Sequence, residues 1–275
     1  MISDSQVEAW VREDVGHHDV TNQLPGKTTG HLIATECGVA AGLDAATAVF
    51  EYLDVTVTDS ADAGDRINSG ETILAVEGPV RDVLRGERVA VNIAAHASGV
   101  ATQTRRAVEA ARAESDDVQV AGTRKTTPGL RGVEKRAVAA GGGDTHRLNL
   151  SHMVMVKDNH IAEIGLEPAI KRLRERTSFA TNVEVEIETP MDVPRAAKAG
   201  ADIVLLDNMD PDTTAVAVDR LHETATECNR TVLVEASGGI TIETVPHYAA
   251  TGVDIISLGS LTHSAPALDL SFRTV

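Results

Sequence analysis

The stretch VEVEIETPMDVPRAAKAGADIVLLD, residues 183–207, contains the unit that decides the fold. Apolar residues form a short strand-like run at 183–187 and a second at 203–206, and the segment 192–199 between them has the composition of a short helix. Strand, helix and strand at this spacing are typical of a parallel βαβ unit, because a parallel pair needs a crossover connection that is usually a helix.

The same unit recurs through the second half of the chain. Further strand-like runs lie at 118–121, 153–156, 231–234 and 255–258, and helical segments lie at 133–140, 168–176, 213–227 and 242–250. Six such strands without a GxGxxG turn favour an α/β fold built as a β/α barrel over a dinucleotide-binding sheet. A doubly wound parallel sheet is the alternative.

Before residue 115 the pattern is mixed. It predicts a helix at 5–15, a strand at 31–39, a helix at 43–53 and a long helix at 83–113 that Gly99 interrupts. We therefore predict a smaller N-terminal α/β domain with a long connecting helix at 1–114 and a barrel domain at 115–275. The C-terminal end of the barrel segment is free to pack back on the first domain.

The chain is strongly acidic, with a formal net charge of −16. It contains only six lysines but nineteen arginines. Duplex nucleic acid is an unfavourable partner for such a protein, since binding it needs a basic face. The acidity either attracts a basic partner or forms a hydrated surface suited to a high-salt cytoplasm, where screening weakens self-repulsion. The even spread of acids along the chain favours the second interpretation.

Two cysteines, Cys37 and Cys228, lie far apart and have no metal-ligand spacing. We therefore expect a reduced, cytoplasmic protein without a disulfide framework or a cysteine zinc site. The first residues show no signal-peptide pattern, and no apolar run approaches the length that spans a bilayer. No membrane partner is expected.

Polar residues, most of them cations, stand where strands of the barrel are predicted to begin or end. They are Thr123, Arg124, Lys125, His146, Arg147 and Lys157. Loops at the carboxyl ends of barrel strands form active sites. Cations gathered there in so acidic a chain predict a pocket for a small polyanion.

Carboxylates are predicted on the same side of the barrel. Glu184, Glu186 and Glu188 alternate with aliphatic residues, so all three point to one face of their strand, which we expect to be the barrel axis. An edge strand with a solvated acidic face is the alternative. Asp207 follows the next strand and Glu235 follows the one after it.

Two glycine-containing loops follow the last two strands. Ser237, Gly238 and Gly239 lie in the first loop, and Gly259 and His263 lie in the second. A phosphate commonly sits at these loops of a barrel, held by backbone N–H groups and a helix N-terminus, and glycine lets the backbone approach the phosphate oxygens. Tight turns without a ligand are the alternative.

Several motifs together resemble those of the quinolinate phosphoribosyltransferase family, also called carboxylating nicotinate-nucleotide pyrophosphorylases, and they are collinear over nearly the whole chain. The motifs are GERVAVN at 86–92, HASGVAT at 96–102, TRKT at 123–126, HR at 146–147, KDNH at 157–160, EVE at 184–186, LDNM at 206–209 and ASGGI at 236–240. The acidic composition suggests a member from a salt-adapted organism.

The resemblance implies an N-terminal α/β sandwich domain, a C-terminal incomplete β/α barrel and a homodimer with shared active sites, with a higher oligomer open. It implies quinolinate and 5-phosphoribosyl-1-diphosphate as substrates, with Mg²⁺. The products would be nicotinate mononucleotide, diphosphate and carbon dioxide, in NAD biosynthesis.

The resemblance also implies roles for individual residues. Lys125 and Lys157 would be catalytic, as would Glu186 and Asp207, which would also lie near the ribose and its magnesium. The substrate-binding residues would be Arg88 from the partner subunit, Thr123, Arg124, His146, Arg147, the phosphate cradle of Ser237, Gly238, Gly239 and Gly259, and His263 at its rim.

The residue types suit this chemistry independently. Arginine binds carboxylates bidentately, lysine supplies a point charge, and carboxylates stabilise the positive charge that develops on a ribose. A related phosphoribosyltransferase of the molybdenum-transport-associated type is one alternative. A non-catalytic phosphate-binding barrel is another, although a pure phosphate sensor has no need of Glu186 and Asp207.

Overall fold

The computed structural model describes residues 2–275. In chain order, the helices and strands are α1 Asp4–Val15, β1 Lys27–Ala34, β2 Gly38–Val39, α2 Leu43–Tyr52, β3 Thr56–Ser60, β4 Arg66–Ile67, β5 Thr72–Pro79, α3 Val80–Arg112, β6 Gln119–Gly122, α4 Arg131–Ala140, β7 Val154–Val156, α5 Asp158–Ile164, α6 Leu166–Arg174, β8 Val183–Ile187, α7 Val193–Ala199, β9 Ile203–Asp207, α8 Pro211–Glu227, β10 Leu233–Ser237, α9 Val245–Ala249, β11 Ile255–Leu258, α10 Ser260–His263 and β12 Leu270–Thr274.

The chain forms two compact units that differ from the division expected at residue 114. The first unit contains the chain up to Arg105 together with Thr126–Gly143 and Leu261–Val275, and the second contains Arg106–Lys125 and Asp144–Ser260. The two extra segments join the first unit because α4 packs apolar residues into its core and β12 pairs with β1. The division of the chain into folding domains at 1–114 and 115–275 therefore remains a prediction.

The first unit is built on a four-stranded sheet in the order β12-β1-β5-β3, with a separate β2-β4 pair. The strands of the larger sheet pair antiparallel. Phe50 of α2 and Leu32 of β1 are fully buried in the core, and the ring of Phe50 stacks on Phe272 with 5.8 Å between centroids. The C-terminal strand β12 therefore packs against the same hydrophobic core as α2 and β1.

Helix α3 runs without a break through Gly99, so the expected interruption is wrong. A glycine inside a helix costs about 1 kcal/mol relative to alanine. The buried neighbours Ala97, Val100 and Ala101 offset this cost by packing into the core. Glycine is needed at this position because a Cβ would lie 2.1 Å from the carbonyl oxygen of Pro266.

The second unit is a six-stranded parallel sheet in the order β6-β11-β10-β9-β8-β7. From β7 to β11 the strands follow chain order, and β6 then lies beside β11. A doubly wound sheet reverses direction at a switch point, whereas this order runs in one direction and leaves only β6 and β7 unpaired with each other. The expected incomplete β/α barrel is confirmed.

Strand alternation separates an apolar face of this sheet from a polar one. On β8, Val183, Val185 and Ile187 are buried on one face, and Glu184 and Glu186 lie on the other. The register extends the polar face across the sheet, because Glu186 lies opposite Leu205 and Leu205 lies opposite Glu235. Glu188 follows the end of β8 and is exposed.

Two further features bear on the expectations from composition. Both cysteines are free thiols, Cys37 exposed and Cys228 partly exposed. Within residues 2–275 no helix is both long and apolar enough to cross a membrane.

Candidate active site

A pocket of about 290 Å³ opens at the carboxyl ends of the parallel strands of the second unit. Most of the residues predicted from the sequence line it, and several adjacent strands contribute. The lining residues are Thr123, Arg124, Lys125, His146, Arg147, Met155, Lys157, Glu186, Leu205, Asp207, Glu235, Ser237 and Ser257. The pocket is therefore the structural counterpart of the predicted polyanion site.

Lys157 directly follows β7 and reaches a carboxylate on the neighbouring strand. Its Nζ lies 2.5 Å from Oε2 of Glu186. On the other side, Lys125 donates its backbone N–H to Oγ1 of Thr123 at 3.0 Å, which shapes the turn after β6. The segments that follow β6 and β7 thus each place a lysine at the pocket.

Arg147 is the most buried cation of the pocket, with 7% of its surface exposed. Its Nη2 donates to Sδ of Met155 at 3.0 Å, and its Nε finds no hydrogen-bond partner within the described residues. Burial lowers the pKa of Arg147, and the positive charge of Arg124 lowers it further, although nearby glutamates, Glu184 foremost, oppose the shift. A buried guanidinium with an N–H that donates no hydrogen bond is suited to binding an anion.

A second group, His146 with Glu184 and Glu235, lies at the base of the pocket. His146 Nε2 lies 3.0 Å from Oε2 of Glu235 and 3.5 Å from Oε1 of Glu184, and both glutamates are fully buried. Burial alone would lower the pKa of His146, but Glu184 and Glu235 outweigh it and raise the pKa to about 10. Burial raises the pKa of Glu184 to about 7, against the favourable contact with His146. The two carboxylates therefore favour the cationic form of the imidazole.

Glu184 and Glu235 were predicted on this side of the barrel, but no catalytic or binding role was predicted for them. The sequence contains a signal for both residues. Glu184 alternates with the aliphatic residues of its strand, and Glu235 directly follows the strand-like run at 231–234. Glu235 instead lies within β10, which spans Leu233–Ser237 and begins later than the predicted run at 231–234. The pairing of β10 with β9 was needed to place Glu235 beside Leu205.

Asp207 and the glycine loop after β10 form the other side of the pocket. Oδ2 of Asp207 accepts from Nδ2 of Asn208 at 2.7 Å, and the N–H of Asn208 donates to the carbonyl oxygen of Ser237 at 2.9 Å. Gly238 has φ +94° and passes so close that a Cβ would lie 2.3 Å from Oδ1 of Asn208. Glycine is therefore required at this crossing of two loops.

The expected phosphate loop differs from the prediction in one respect. Helix α9 begins at Val245 rather than directly after the glycines, and it has only five residues, so its N-terminus does not form the cradle. The N–H groups of Gly238 and Gly239 donate no hydrogen bond among residues 2–275, and a Cβ on Gly239 would meet open space. These two backbone N–H groups are therefore available to donate hydrogen bonds to a phosphate.

Arg88 and His263 both belong to the first unit. Arg88 lies on α3 with 61% of its side chain exposed and its Nη2 3.6 Å from Oε1 of Glu87. His263 ends α10, is exposed, and its Nδ1 lies 2.6 Å from Oγ of Ser264. Gly259, in the second unit, directly follows β11.

The fold and the cation-lined pocket at its strand ends are those of a β/α-barrel enzyme, and the comparisons with known proteins agree. The chain matches the model of the quinolinate phosphoribosyl transferase N-terminal domain at residues 19–98 and that of the C-terminal domain at 100–273. The chain belongs to the quinolinate phosphoribosyltransferase family, as its motifs predict.

Relatives cover almost the whole chain. A probable carboxylating nicotinate-nucleotide pyrophosphorylase of Methanothermobacter thermautotrophicus is 43% identical over 97% of this chain and 97% of its own. The carboxylating nicotinate-nucleotide pyrophosphorylase of Homo sapiens is 41% identical over 97% of this chain and 90% of its own. The crystal structure of NadC from Streptococcus pyogenes, 39% identical, aligns with a TM-score of 0.89 over 98% of this chain and 95% of that one.

Proposed function

We propose that this chain is a carboxylating nicotinate-nucleotide pyrophosphorylase that transfers phosphoribosyl from 5-phosphoribosyl-1-diphosphate to quinolinate. The reaction gives nicotinate mononucleotide, diphosphate and carbon dioxide, a step of NAD biosynthesis. The observation that carries the proposal is the joining of cations and carboxylates in one pocket at the strand ends. The names of relatives that cover nearly the whole chain support the same activity.

The cations serve the quinolinate half of the site. Quinolinate carries two adjacent carboxylates, and Arg124, Arg147 and His146 offer planar donors while Lys125 and Lys157 add point charge. A dianion held by several cations is also shielded from water, which strengthens each contact. This set is larger than a single phosphate requires, which supports a dicarboxylate substrate.

The carboxylates serve the phosphoribosyl half. Attack of the ring nitrogen on the anomeric carbon expels diphosphate through a transition state with positive charge on the ribose, and Glu186 and Asp207 would stabilise that charge. Their oxygens also fit Mg²⁺, which prefers carboxylate and phosphate ligands. The ion, when bound, would offset the charge of the leaving diphosphate. The backbone donors of Gly238 and Gly239 would receive the 5-phosphate, with Ser237 and Gly259 beside them.

Decarboxylation follows from the first step. Once the ring nitrogen carries the ribose, the ring is cationic, and the adjacent N⁺ stabilises the electron pair that remains on C2 when the 2-carboxylate leaves as carbon dioxide. A proton from solvent then adds to C2 and gives nicotinate mononucleotide. The protein has only to hold the ring in place during these steps, so no organic cofactor is needed.

A homodimer with shared active sites is part of the proposal. Arg88 would act from the partner subunit, and its largely exposed side chain supports this. An open pocket of about 420 Å³ lies beside the same helix, lined in part by Trp10, Val89 and Ile93. His263 would contribute at the phosphate rim.

We also propose a salt-adapted, cytoplasmic enzyme. Support comes from the net charge of −16 and the scarcity of lysine, which suit a concentrated salt solution. The free thiols of Cys37 and Cys228 support a reducing compartment.

The decisive assay compares quinolinate with nicotinate, which lacks the 2-carboxylate. With phosphoribosyl diphosphate and Mg²⁺, quinolinate should yield carbon dioxide and nicotinate mononucleotide in equal amounts, and nicotinate should yield little product. Turnover of neither pyridine would favour the related phosphoribosyltransferase with another substrate. Binding of phosphate without turnover of any pyridine would favour the phosphate-binding barrel.

A further inference from the structure

The cluster of His146, Glu184 and Glu235 places two fully buried carboxylates against one imidazole. Both oxygens of Glu184 and Oε1 of Glu235 have no hydrogen-bond partner among residues 2–275. Buried charges are costly unless they are compensated. The proposed reaction gives neither glutamate a direct part, so their presence calls for another explanation.

The two glutamates act on His146 in different ways. Nε2 carries a single hydrogen, so it donates to one acceptor at a time, and the 3.0 Å contact makes Glu235 that acceptor. Glu184, 3.5 Å away, acts mainly through its charge. With Nε2 directed at Glu235, Nδ1 is the ring nitrogen left for the pocket that His146 lines.

The surroundings reinforce this orientation. The backbone N–H of His146 donates to Oδ1 of Asp144 at 2.5 Å and holds the residue at φ +50°, a left-handed conformation that few residues other than glycine adopt. The charged groups that contact the ring are Glu184 from β8 and Glu235 from β10. Two buried carboxylates against one imidazole favour its charged form.

We propose that Glu235 and Glu184 are positioning residues for His146, holding its ring so that Nδ1–H faces the pocket as a permanently cationic donor to a substrate carboxylate. The proposal rests on the dicarboxylate-binding function proposed above and adds a device that keeps this binding independent of pH. An unsupported histidine, with a pKa of about 6.5, would lose its charge at neutral pH.

A divalent cation held by the same three residues is the competing explanation, since their ligand atoms lie within 4.8 Å of one another. Two observations favour the hydrogen-bonded arrangement. The Nε2–Oε2 contact is already a good hydrogen bond, and Arg147 already supplies positive charge to both glutamates. Coordination through Nε2 would also displace the Nε2 proton on which this hydrogen bond depends.

The test measures quinolinate affinity by calorimetry, without the second substrate, from about pH 6 to about pH 9, a range that spans the ordinary histidine pKa. The variants are Glu235→Gln and Glu184→Gln, and Glu188→Gln, exposed beyond the end of β8, is the matched control. The native protein and the control should bind with nearly constant affinity. Glu235→Gln should lose about tenfold or more in affinity as the pH rises through about 7, because its histidine becomes neutral. Glu184→Gln should show a smaller loss in the same direction.

Nitrogen NMR of the native protein keeps the proposal testable if a variant fails to fold. The His146 signals, assigned with His146→Asn, should report a doubly protonated ring from about pH 6 to about pH 9. Titration near pH 6.5, a pH-independent affinity in Glu235→Gln, or a stoichiometric divalent ion that is lost in that variant would each overturn the proposal. If the native protein binds no quinolinate at any pH, the proposed function fails, while the NMR result still decides the state of His146.

Discussion

Lys157 and Glu186 form an ion pair that joins the two halves of the proposed site, with Nζ 2.5 Å from Oε2. The lysine directly follows β7 and is proposed to meet quinolinate, while the glutamate lies on β8 and is proposed to serve the ribose and its magnesium. Each must leave the other to meet its substrate group. The binding of one substrate should therefore assist the binding of the other, by a coupling that is reciprocal.

The substitution Glu186→Gln tests this coupling. Because the amide has no charge, Lys157 becomes free, and the affinity for quinolinate alone should rise by about two- to fivefold. The expected gain is modest because 42% of the lysine side chain is exposed, so solvent screens the pair. Calorimetry on this variant and on the control Glu188→Gln checks the expectation, and an unchanged or weaker affinity would contradict it. Turnover should fall in Glu186→Gln despite the tighter binding.

Gly238→Ala should damage the phosphate loop far more than Gly239→Ala. The new methyl at Gly238 would clash with Asn208, 2.3 Å from Oδ1 and 2.7 Å from the backbone nitrogen, at a φ of +94°. We expect the free energy of unfolding to fall by about 2–4 kcal/mol and the binding of 5-phosphoribosyl-1-diphosphate to weaken. At Gly239 only the left-handed φ of +64° is strained, which costs about 1 kcal/mol. Chemical unfolding of both variants shows which one loses more stability. Equal losses of unfolding free energy would argue against the close approach of Gly238 to Asn208.

The barrel strands could be predicted from the sequence because parallel strands covered on one face by helices keep a regular apolar pattern. Val183–Ile187 and Ile255–Leu258 were predicted to the residue. The C-terminal strand Leu270–Thr274 was not predicted, because its place in the sheet depends on pairing with Lys27–Ala34 at the other end of the chain. Local patterns carry no signal of such a distant partner.

The same limit applies to the site. Cations at strand ends could be recognised from charge and position alone. The His146–Glu235 contact joins residues that are far apart in the chain, and only the strand order brings them to 3.0 Å. The Lys157–Glu186 pair is likewise a product of the adjacent positions of β7 and β8.

Assembly is tested by complementation between Arg88→Ala and Lys157→Ala chains. If Arg88 acts in the partner subunit's pocket, each variant alone should be nearly inactive. A mixed dimer contains one site with both native residues, so partial activity, up to about a quarter of the native value for random mixing, should return. Verified heterodimers without activity would show that Arg88 does not act across a shared site.

Salt should stabilise the protein. With a net charge of −16, surface acids repel one another over a screening length of about 30 Å at 0.01 M salt and only about 3 Å at 1 M. The melting temperature in potassium chloride should therefore rise steadily toward molar concentrations. A melting temperature that stays level or falls over this range would count against salt adaptation.

Asp207→Asn tests most directly whether one pocket both binds the dicarboxylate and activates the phosphoribosyl group. The variant keeps size but loses the charge that would offset the developing positive charge on the ribose, whereas quinolinate meets the cations instead. We predict that quinolinate affinity stays within about twofold of native, while carbon dioxide release falls by a factor of about 100 or more. Asp219→Asn, exposed on α8, should behave as native. Carbon dioxide release near the native rate in Asp207→Asn would contradict the account.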